Sequence, residues 1–178
     1  MLLQRFGIHF DCQSPEIDET AHKNETPYDL VARLARQKAQ VVSLQYPQAV
    51  IIGSDQLAVF AGQIIGKPGG QREALEQLTS FSGQSVEFLT AVSVQSRISG
   101  FNEQHTDRTR VGFRSLQTEE IERYLEKEKP FDCAGAFKAE SLGITLFDHI
   151  SSEDPTALIG LPLIQTAAML RRAGLLLP

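Results

Sequence analysis

A carboxylate and a lysine lie near each other in the sequence in a pattern that suits phosphate chemistry. The β-branched run 50–52 ends in Gly53-Ser54-Asp55-Gln56, which predicts a buried strand that stops in a tight turn and presents Asp55. Ligands of open α/β sheets bind at that edge. Gly66-Lys67-Pro68 follows a short hairpin-like segment, so the chain can return Lys67 to the same edge. We therefore expect a cation beside this carboxylate.

A second lysine lies on the helix that precedes this strand. Thr26-Pro27-Tyr28-Asp29 carries the signals of a helix N-terminus, and the helical pattern runs to about Gln45. On the helical wheel Lys38 falls within the apolar arc, whereas Arg33 points to the opposite, solvated face. A lysine in that arc either extends its amine to solvent or meets an anion, and the spacing favours neither alternative.

Composition and charge exclude several classes of protein. The chain has 178 residues, 42% of them hydrophobic, and can bury the core of one compact unit. A net charge of -5 argues against a nucleic-acid binder. No apolar run is long enough to span a bilayer and no signal-type segment is present, so we expect a cytoplasmic protein with no membrane partner. Cys12 and Cys133 fit neither a disulfide framework nor a zinc site, and we expect both to be small buried side chains.

The remaining patterns alternate between strand and helix and predict an α/β fold. Leu75, Leu78 and Phe81 recur at helical spacing, and Val86, Phe88 and Val92 alternate as in a strand. The sequence predicts strands at 8–10, 85–94, 109–114 and 144–150, a hairpin over 59–65, and helices over 72–81 and from 118 to about 129. A last helix follows the segment 160–163 and ends near 171–174.

Six motifs in register carry a family resemblance along nearly the whole chain. They are Glu16-Ile17-Asp18-Glu19, Arg33-Leu34-Ala35-x-x-Lys38-Ala39, Gly53-Ser54-Asp55-Gln56, Gly66-Lys67-Pro68, Ala134-Gly135-x-Phe137-Lys138-x-Glu140 and Gly160-Leu161-Pro162-Leu163. Together they resemble the Maf family of nucleoside triphosphate pyrophosphatases. The resemblance implies one Maf-like domain over residues 1–178, with a two-lobed Maf/ITPase-like α/β fold, a mixed twisted sheet and a cleft between the lobes.

The resemblance implies hydrolysis of a nucleoside triphosphate to the monophosphate and diphosphate, with a divalent metal, magnesium or manganese, as cofactor. In the family's pattern Asp55 is the proton acceptor, and Lys38 and Lys67 contact phosphates. Water must attack the α-phosphorus, so a carboxylate that takes its proton and cations that neutralise the phosphate oxygens suit the reaction. The alternative for Asp55 is an aspartate that caps its own turn.

An acidic loop supplies the candidate metal ligand. Glu19 falls at an acidic position of the family, where a hard oxygen ligand suits magnesium or manganese. Glu16 and Asp18 are as well explained by a solvated acidic loop as by metal contact. The family's members tend to form dimers, so a homodimer is an alternative that the resemblance raises, although the sequence shows no interface.

Two positions indicate the base that is recognised. Gln56 and Glu140 match the 7-methyl-GTP pyrophosphatase branch, whereas the branch that acts on dTTP and UTP usually has Thr and Gln there. Guanine presents two donors that match the acceptors of a carboxylate, while uracil and thymine present carbonyls that a carboxylate would leave unpaired. Phe137 is either a ring that stacks on the base or a core residue, and the core role is favoured. The alternative substrates are dTTP and UTP.

One departure from the family concerns the first residues. Family members begin with a strand that leads into Ser-x-Ser-x-x-Arg, a phosphate-binding turn at a helix N-terminus, and this sequence starts at Met1 within the helix that follows. Loss of that strand is expected to expose a sheet edge or leave a gap in the core. Either the working protein is longer at its N-terminus, which we favour, or this is a truncated homologue that binds nucleotides without turnover.

Overall fold

The computed structural model describes residues 2–178, in which helices and strands alternate as expected of an α/β chain. Within this range no helix combines the length and the apolarity that crossing a bilayer demands. The helices are α1 (Pro27–Gln45), α2 (Gln71–Phe81), α3 (Thr118–Glu128) and α4 (Leu163–Arg172); the strands are β1 (Val50–Phe60), β2 (Gln63–Ile65), β3 (Ser85–Ser96), β4 (Phe101–Phe113) and β5 (Phe147–Ser151).

The strands form one sheet in the order β2-β1-β3-β4-β5. The predicted hairpin is confirmed, because Phe60 pairs with Gln63 across a two-residue turn in an antiparallel register. Strand β5 pairs antiparallel with β4, where Val111 lies opposite Ile150. The α/β class is confirmed, and these strand pairs are antiparallel where the resemblance implied a mixed sheet.

Helix α1 begins where its sequence signals predict. The Thr26 hydroxyl accepts a hydrogen bond from Asp29 N at 3.1 Å, and Pro27 occupies the first turn, where its missing N–H costs nothing. Leu30, Val31 and Leu34 are buried, which confirms the apolar arc. Arg33 is buried as well, at 9% exposure, so its predicted place on the solvated face is wrong.

The chain divides into two compact units. The first unit comprises the described residues up to Gln56 together with Thr90–Asp107 and Asp154–Pro178, and the second comprises Leu57–Leu89 and Arg108–Glu153. The core of the first unit is aliphatic and contains Val92, Val94, Leu161, Leu163, Met169 and Leu170.

The core of the second unit contains a cluster of phenylalanine rings. Phe137 is 5% exposed and lies edge-on to Phe88, Phe113 and Phe147, with ring centroids 4.9 to 5.7 Å apart. Edge-to-face packing of this kind adds to the stabilisation from burial alone. The favoured interpretation of Phe137 as a core residue is therefore confirmed.

Several boundaries differ from the predictions. Residues 8–10 form no strand, and β4 begins at Phe101 rather than Thr109. Only the second half of the strand predicted over 144–150 is extended, since Leu142–Leu146 is a 3-10 helix. The polar residues in the first part of β4 alternate with less exposed neighbours along the strand.

Candidate active site

Asp55 lies within strand β1, and the tight turn predicted after Gly53-Ser54-Asp55 is wrong. The strand continues to Phe60, where the chain turns into β2. The residue order looked like a turn because Gly, Ser and Asp are turn formers. In the structure the glycine serves a different purpose, which is to let α1 approach.

Gly53 is the point at which helix α1 lies against strand β1. A Cβ atom built at Gly53 would lie 2.6 Å from Ala39 N and would also strike the carbonyl oxygen of Ala35. Both are backbone atoms of the helix and cannot move aside separately. Glycine is therefore required here by close packing rather than by a positive φ.

This approach brings Lys38 onto the carboxylate of Asp55. Lys38 Nζ donates to Asp55 Oδ1 at 2.6 Å, and the same ammonium lies 2.8 Å from Glu19 Oε1. The side chain of Asp55 is 12% exposed, whereas that of Glu19 is 60% exposed. The second alternative for Lys38, that it meets an anion, is the one that the structure shows.

The electrostatics of this cluster keep Lys38 charged. Burial works against the ammonium, but hydrogen bonds to Asp55 and then to Glu19 outweigh it, so the pKa of Lys38 is raised above its ordinary value. Coulomb attraction to the two carboxylates adds to the same effect. A charged lysine that holds an aspartate on a rigid strand is suited to binding phosphate oxygens beside a proton acceptor.

The alternate residues of the motif face the other way. Ser54 Oγ lies 2.8 Å from Ala91 O and 2.9 Å from Gly160 O, the hydroxyl acting as donor. Gln56 Nε2 donates to Thr90 Oγ1 at 2.8 Å. The Gln56 nitrogen also reaches the carbonyl oxygens of Ala157 (3.0 Å) and Leu158 (3.2 Å).

These contacts decide how the Gln56 amide is oriented. Reversing the amide would place its oxygen against two carbonyl oxygens, so the nitrogen must face the protein. Gln56 Oε1 has no hydrogen-bond partner among residues 2–178 and is an acceptor held in a fixed direction.

Arg33 is a residue of the site region that the sequence reasoning missed. Its guanidinium binds Glu25 through two bonds, Nε to Oε1 at 2.7 Å and Nη2 to Oε2 at 2.9 Å. Arg33 Nη2 also donates to Thr20 O at 3.0 Å, next to Glu19 in the chain. The arginine thereby anchors the loop that carries Glu19 to helix α1. The signal in the sequence is the presence of Arg33 in the Arg33-Leu34-Ala35 motif. A helical wheel misses it, because the wheel counts an arginine only as a polar residue.

The carboxylates of the acidic loop differ in how well they are placed to bind a metal ion. Asp18 Oδ1 accepts from Thr20 N at 2.9 Å, as a turn aspartate does, and Glu16 is exposed. Residues 2–178 contain no group of three or more His, Cys, Asp or Glu side chains placed to hold a metal ion. Magnesium is commonly bound by one or two carboxylates together with substrate phosphates, so Glu19, whose carboxylate already faces a cation, fits that donor set.

Lys67 and Glu140 both belong to the second unit. Lys67 is exposed in the segment after β2, which is tied down by bonds from Gly69 N to Phe131 O (2.9 Å) and from Gln77 Nε2 to Gly66 O (3.1 Å). Glu140 is exposed in a turn after the Ala134–Ala136 3-10 helix. The structure brings together Glu19, Lys38 and Asp55. Gln56 follows Asp55 on the same strand, with its side chain on the opposite face.

Neither Cys12 nor Cys133 is part of a disulfide, and the two differ in burial. Cys12 is exposed and Cys133 is half-buried, so the prediction that both are buried is wrong. Burial, with the nearby charge of Asp132, raises the pKa of the Cys133 thiol to about 11. At neutral pH this thiol is protonated, and the thiolate that nucleophilic chemistry needs is not formed.

Comparison with known families decides the assignment of the chain. The model of the family described as Maf-like protein matches residues 1–173. The chain belongs to the Maf family. The motifs that carried the resemblance, including those that place Lys38 and Asp55, thus lie within a family match that spans nearly all of the chain.

Curated relatives are similar over almost their whole length. A 7-methyl-GTP pyrophosphatase of Xanthomonas campestris pv. campestris (strain 8004) is 53% identical over 177 residues, which cover 99% of this chain and 92% of the relative. Proteins of the same name from Aromatoleum aromaticum and Albidiferax ferrireducens are 49% and 47% identical. These alignments cover 100% and 98% of this Maf chain and 92% and 87% of the two relatives.

Proposed function

We propose that this protein is a nucleoside triphosphate pyrophosphatase that hydrolyses 7-methyl-GTP to 7-methyl-GMP and diphosphate. The observation that carries the proposal is the pairing of Lys38 with Asp55, a charged lysine and a carboxylate on rigid elements, in a chain about half identical to several 7-methyl-GTP pyrophosphatases. The substrate is an intracellular nucleotide, and we infer a cytoplasmic location on that ground. A homodimer remains a prediction.

In this proposal Asp55 accepts the proton of the attacking water. The water oxygen forms a bond to the α-phosphorus, the bond from that phosphorus to the bridging oxygen of the β-phosphate breaks, and diphosphate leaves with the electron pair. A carboxylate held on a strand and hydrogen-bonded to Lys38 is fixed in direction. It can therefore hold the attacking water in the orientation that the reaction needs.

Lys38 exchanges one partner when substrate binds. Its contact with Glu19 involves a carboxylate that is 60% exposed, and exposed ion pairs are worth little. The contact with Asp55 is far less exposed. A phosphate oxygen therefore replaces Glu19 at the ammonium, while Asp55 stays in place. Lys67, by the family's pattern, binds phosphate as well.

Release of Glu19 makes its carboxylate available to a divalent cation, magnesium or manganese, that accompanies the triphosphate. Such a cation, when bound, supplies neutralisation of the charge that develops on the phosphate oxygens. Glu19 would contribute a hard oxygen ligand to such a cation, and Arg33 holds the backbone of its loop through Thr20.

In this proposal two side chains that accept hydrogen bonds recognise the base. Gln56 presents Oε1 because its nitrogen is bound to the protein, and Glu140 carries a carboxylate. Guanine offers N1–H and the 2-amino group as donors, whereas the carbonyls of thymine and uracil would face these acceptors unpaired. The positive charge that N7 methylation adds to guanine favours an acidic environment further.

A comparison of substrates tests the proposal. Purified protein with magnesium or manganese is given 7-methyl-GTP, GTP, dTTP and UTP in turn, and released diphosphate is measured. We expect the highest kcat/KM for 7-methyl-GTP. A higher value for dTTP or UTP would overturn the proposed substrate, and no turnover of any nucleotide would support a binding protein on the same scaffold.

A further inference from the structure

The turn that carries Glu140 is closed at its base. Gly143 N donates to Lys138 O at 3.1 Å, and a Cβ on Gly143 would lie 3.0 Å from Lys138 N and closer still to the carbonyl of that residue. The two ends of segment 138–143 therefore touch through their backbones. Glu140 lies at the exposed middle of the segment, and its carboxylate has no hydrogen-bond or ion-pair partner among residues 2–178.

Helix α3 holds both ends of this segment through one side chain. Glu128 Oε2 accepts a hydrogen bond from Leu142 N at 3.1 Å, and Glu128 Oε1 lies 3.9 Å from Lys138 Nζ. The Glu128 side chain is 15% exposed. The bond to Leu142 N is charge-assisted and within hydrogen-bond distance, so it is the stronger contact. The 3.9 Å ion pair to Lys138, which is 31% exposed, adds less.

A second residue of α3 fixes the beginning of the segment. The hydroxyl of Tyr124 accepts a hydrogen bond from Lys138 N at 3.2 Å. Tyr124 is 3% exposed, and burial raises the pKa of its hydroxyl, so it remains a neutral phenol. The helix thus grips the segment at Lys138 through Tyr124 and at Leu142 through Glu128.

We infer that Glu128, supported by Tyr124, is a positioning residue for base recognition, since it fixes the segment whose tip presents Glu140. The inference rests on the proposed function, in which Glu140 reads the base. Holding the carboxylate in one place removes the cost of ordering it when the nucleotide binds. Loss of the grip leaves the carboxylate present but misplaced, which weakens binding of the correct base more than it affects the chemical step.

The experiment compares Glu128→Ala, Glu128→Gln and Tyr124→Phe with the wild-type protein on 7-methyl-GTP and dTTP. Glu128→Ala is expected to lower the preference for 7-methyl-GTP, as a ratio of kcat/KM values, by about tenfold, the effect of one lost charged hydrogen bond. The change should appear as a higher KM for 7-methyl-GTP with kcat retained. Tyr124→Phe should act in the same direction, and Glu128→Gln, which keeps an acceptor for Leu142 N, should restore most of the preference.

Glu126→Ala, an exposed glutamate on the same helix, is the matched control and should leave the ratio unchanged. Thermal melting of each variant reports folding, and Tyr124→Phe gives a second reading if Glu128→Ala does not fold. The inference is overturned if both variants keep the wild-type ratio while Glu140→Gln lowers it. Failure of the wild-type protein to prefer 7-methyl-GTP would instead overturn the proposed function.

Discussion

Gly53 and Ala39 lie so close that a single methyl group on the strand would reach 2.6 Å from the backbone nitrogen of the helix. Lys38 is the neighbour of Ala39 in α1, and Asp55 is two residues from Gly53 on β1, so both charged groups flank this contact. The distance from Lys38 Nζ to Asp55 Oδ1, 2.6 Å, follows from how closely helix and strand approach. The contact between α1 and β1 therefore determines both the packing at Gly53 and the distance between Lys38 and Asp55.

Replacing Gly53 with alanine should therefore damage both stability and activity. The added Cβ forces α1 away from β1, and overpacking of this kind costs about 1–3 kcal/mol of the free energy of unfolding. Denaturant unfolding measures the loss, and kcat is expected to fall because Lys38 moves from Asp55. Gly66→Ala, where a Cβ meets nothing within 4 Å, is the stability control. Equal stability of the two variants would contradict the role given to Gly53.

Asp55→Asn should remove the proton acceptor while keeping the shape of the side chain. We expect kcat to fall by about two to four orders of magnitude, which is the usual contribution of a general base. Diphosphate release measures turnover, and thermal melting shows whether the fold survives. Asp148→Asn, a change at an exposed aspartate, should be without effect. If the Asp55 variant turns over at the wild-type rate, Asp55 is not the base.

The raised pKa of Lys38 predicts how stability depends on alkaline pH. A lysine that is more basic in the folded state stabilises the fold below its ordinary pKa of 10.5, and this contribution is lost as pH rises through the higher folded value. The melting temperature of the wild-type protein should thus exceed that of Lys38→Met from neutral pH upward, and the difference should shrink in strongly alkaline buffer. A difference that stays constant with pH would argue against the ion pairs.

The lowered pKa of Glu25 predicts that stability is lost in acid rather than in alkali. Hydrogen bonding to Arg33 lowers the pKa of Glu25 from 4.5 to about 2. The stabilisation is present above pH 4.5 and is lost as pH falls toward 2. Circular dichroism over this range should show that Arg33→Gln is less stable than the wild-type protein above pH 4.5 and that the two converge in stronger acid.

Arg72→Gln is the matched control for that comparison. Arg72 also pairs with a glutamate, Glu73, but the side chains are 81% and 44% exposed, and exposed pairs contribute little to stability. An equal loss in the two variants would mean that burial of Arg33 is not what matters.

Glu140→Gln should shift substrate choice rather than abolish activity. The amide would replace one acceptor by a donor, so the preference for 7-methyl-GTP over dTTP is expected to fall by about tenfold or more. The ratio of kcat/KM values for the two nucleotides measures this change. Glu122→Gln, at an exposed position of α3, controls for the loss of charge. An unaltered ratio would remove Glu140 from base recognition.

The sequence predicted the elements better than their contacts. Helix α1 was predicted from Thr26 to about Gln45, because capping and apolar periodicity are local properties of the chain. The helical wheel leaves Lys38 either solvent or an anion as its partner, and it does not identify Asp55 as that anion. That contact depends on how a helix and a strand pack, which no local pattern contains.

Two errors have a common physical cause. The sequence predicts Gly53 in a turn and Arg33 on a solvated face, because each residue type most often has that role. In the structure tertiary packing overrides both tendencies, since Gly53 admits a helix and Arg33 is buried with a paired carboxylate. The partner Glu19 was proposed from the resemblance alone, since its loop has no periodicity from which a position could be derived.

Strand β1 uses the two faces of its pleat for different purposes. Gly53 and Asp55 face α1, whereas Ser54 and Gln56 face the carbonyl oxygens of β3 and of the 157–160 turn. Side chains alternate with a period of two, so inserting or deleting one residue within 53–56 would transfer Asp55 to the face that Gln56 now occupies. Evolution can therefore vary the composition of the surrounding elements, but a change in the length of this tetrapeptide would separate the acid from its lysine in one step.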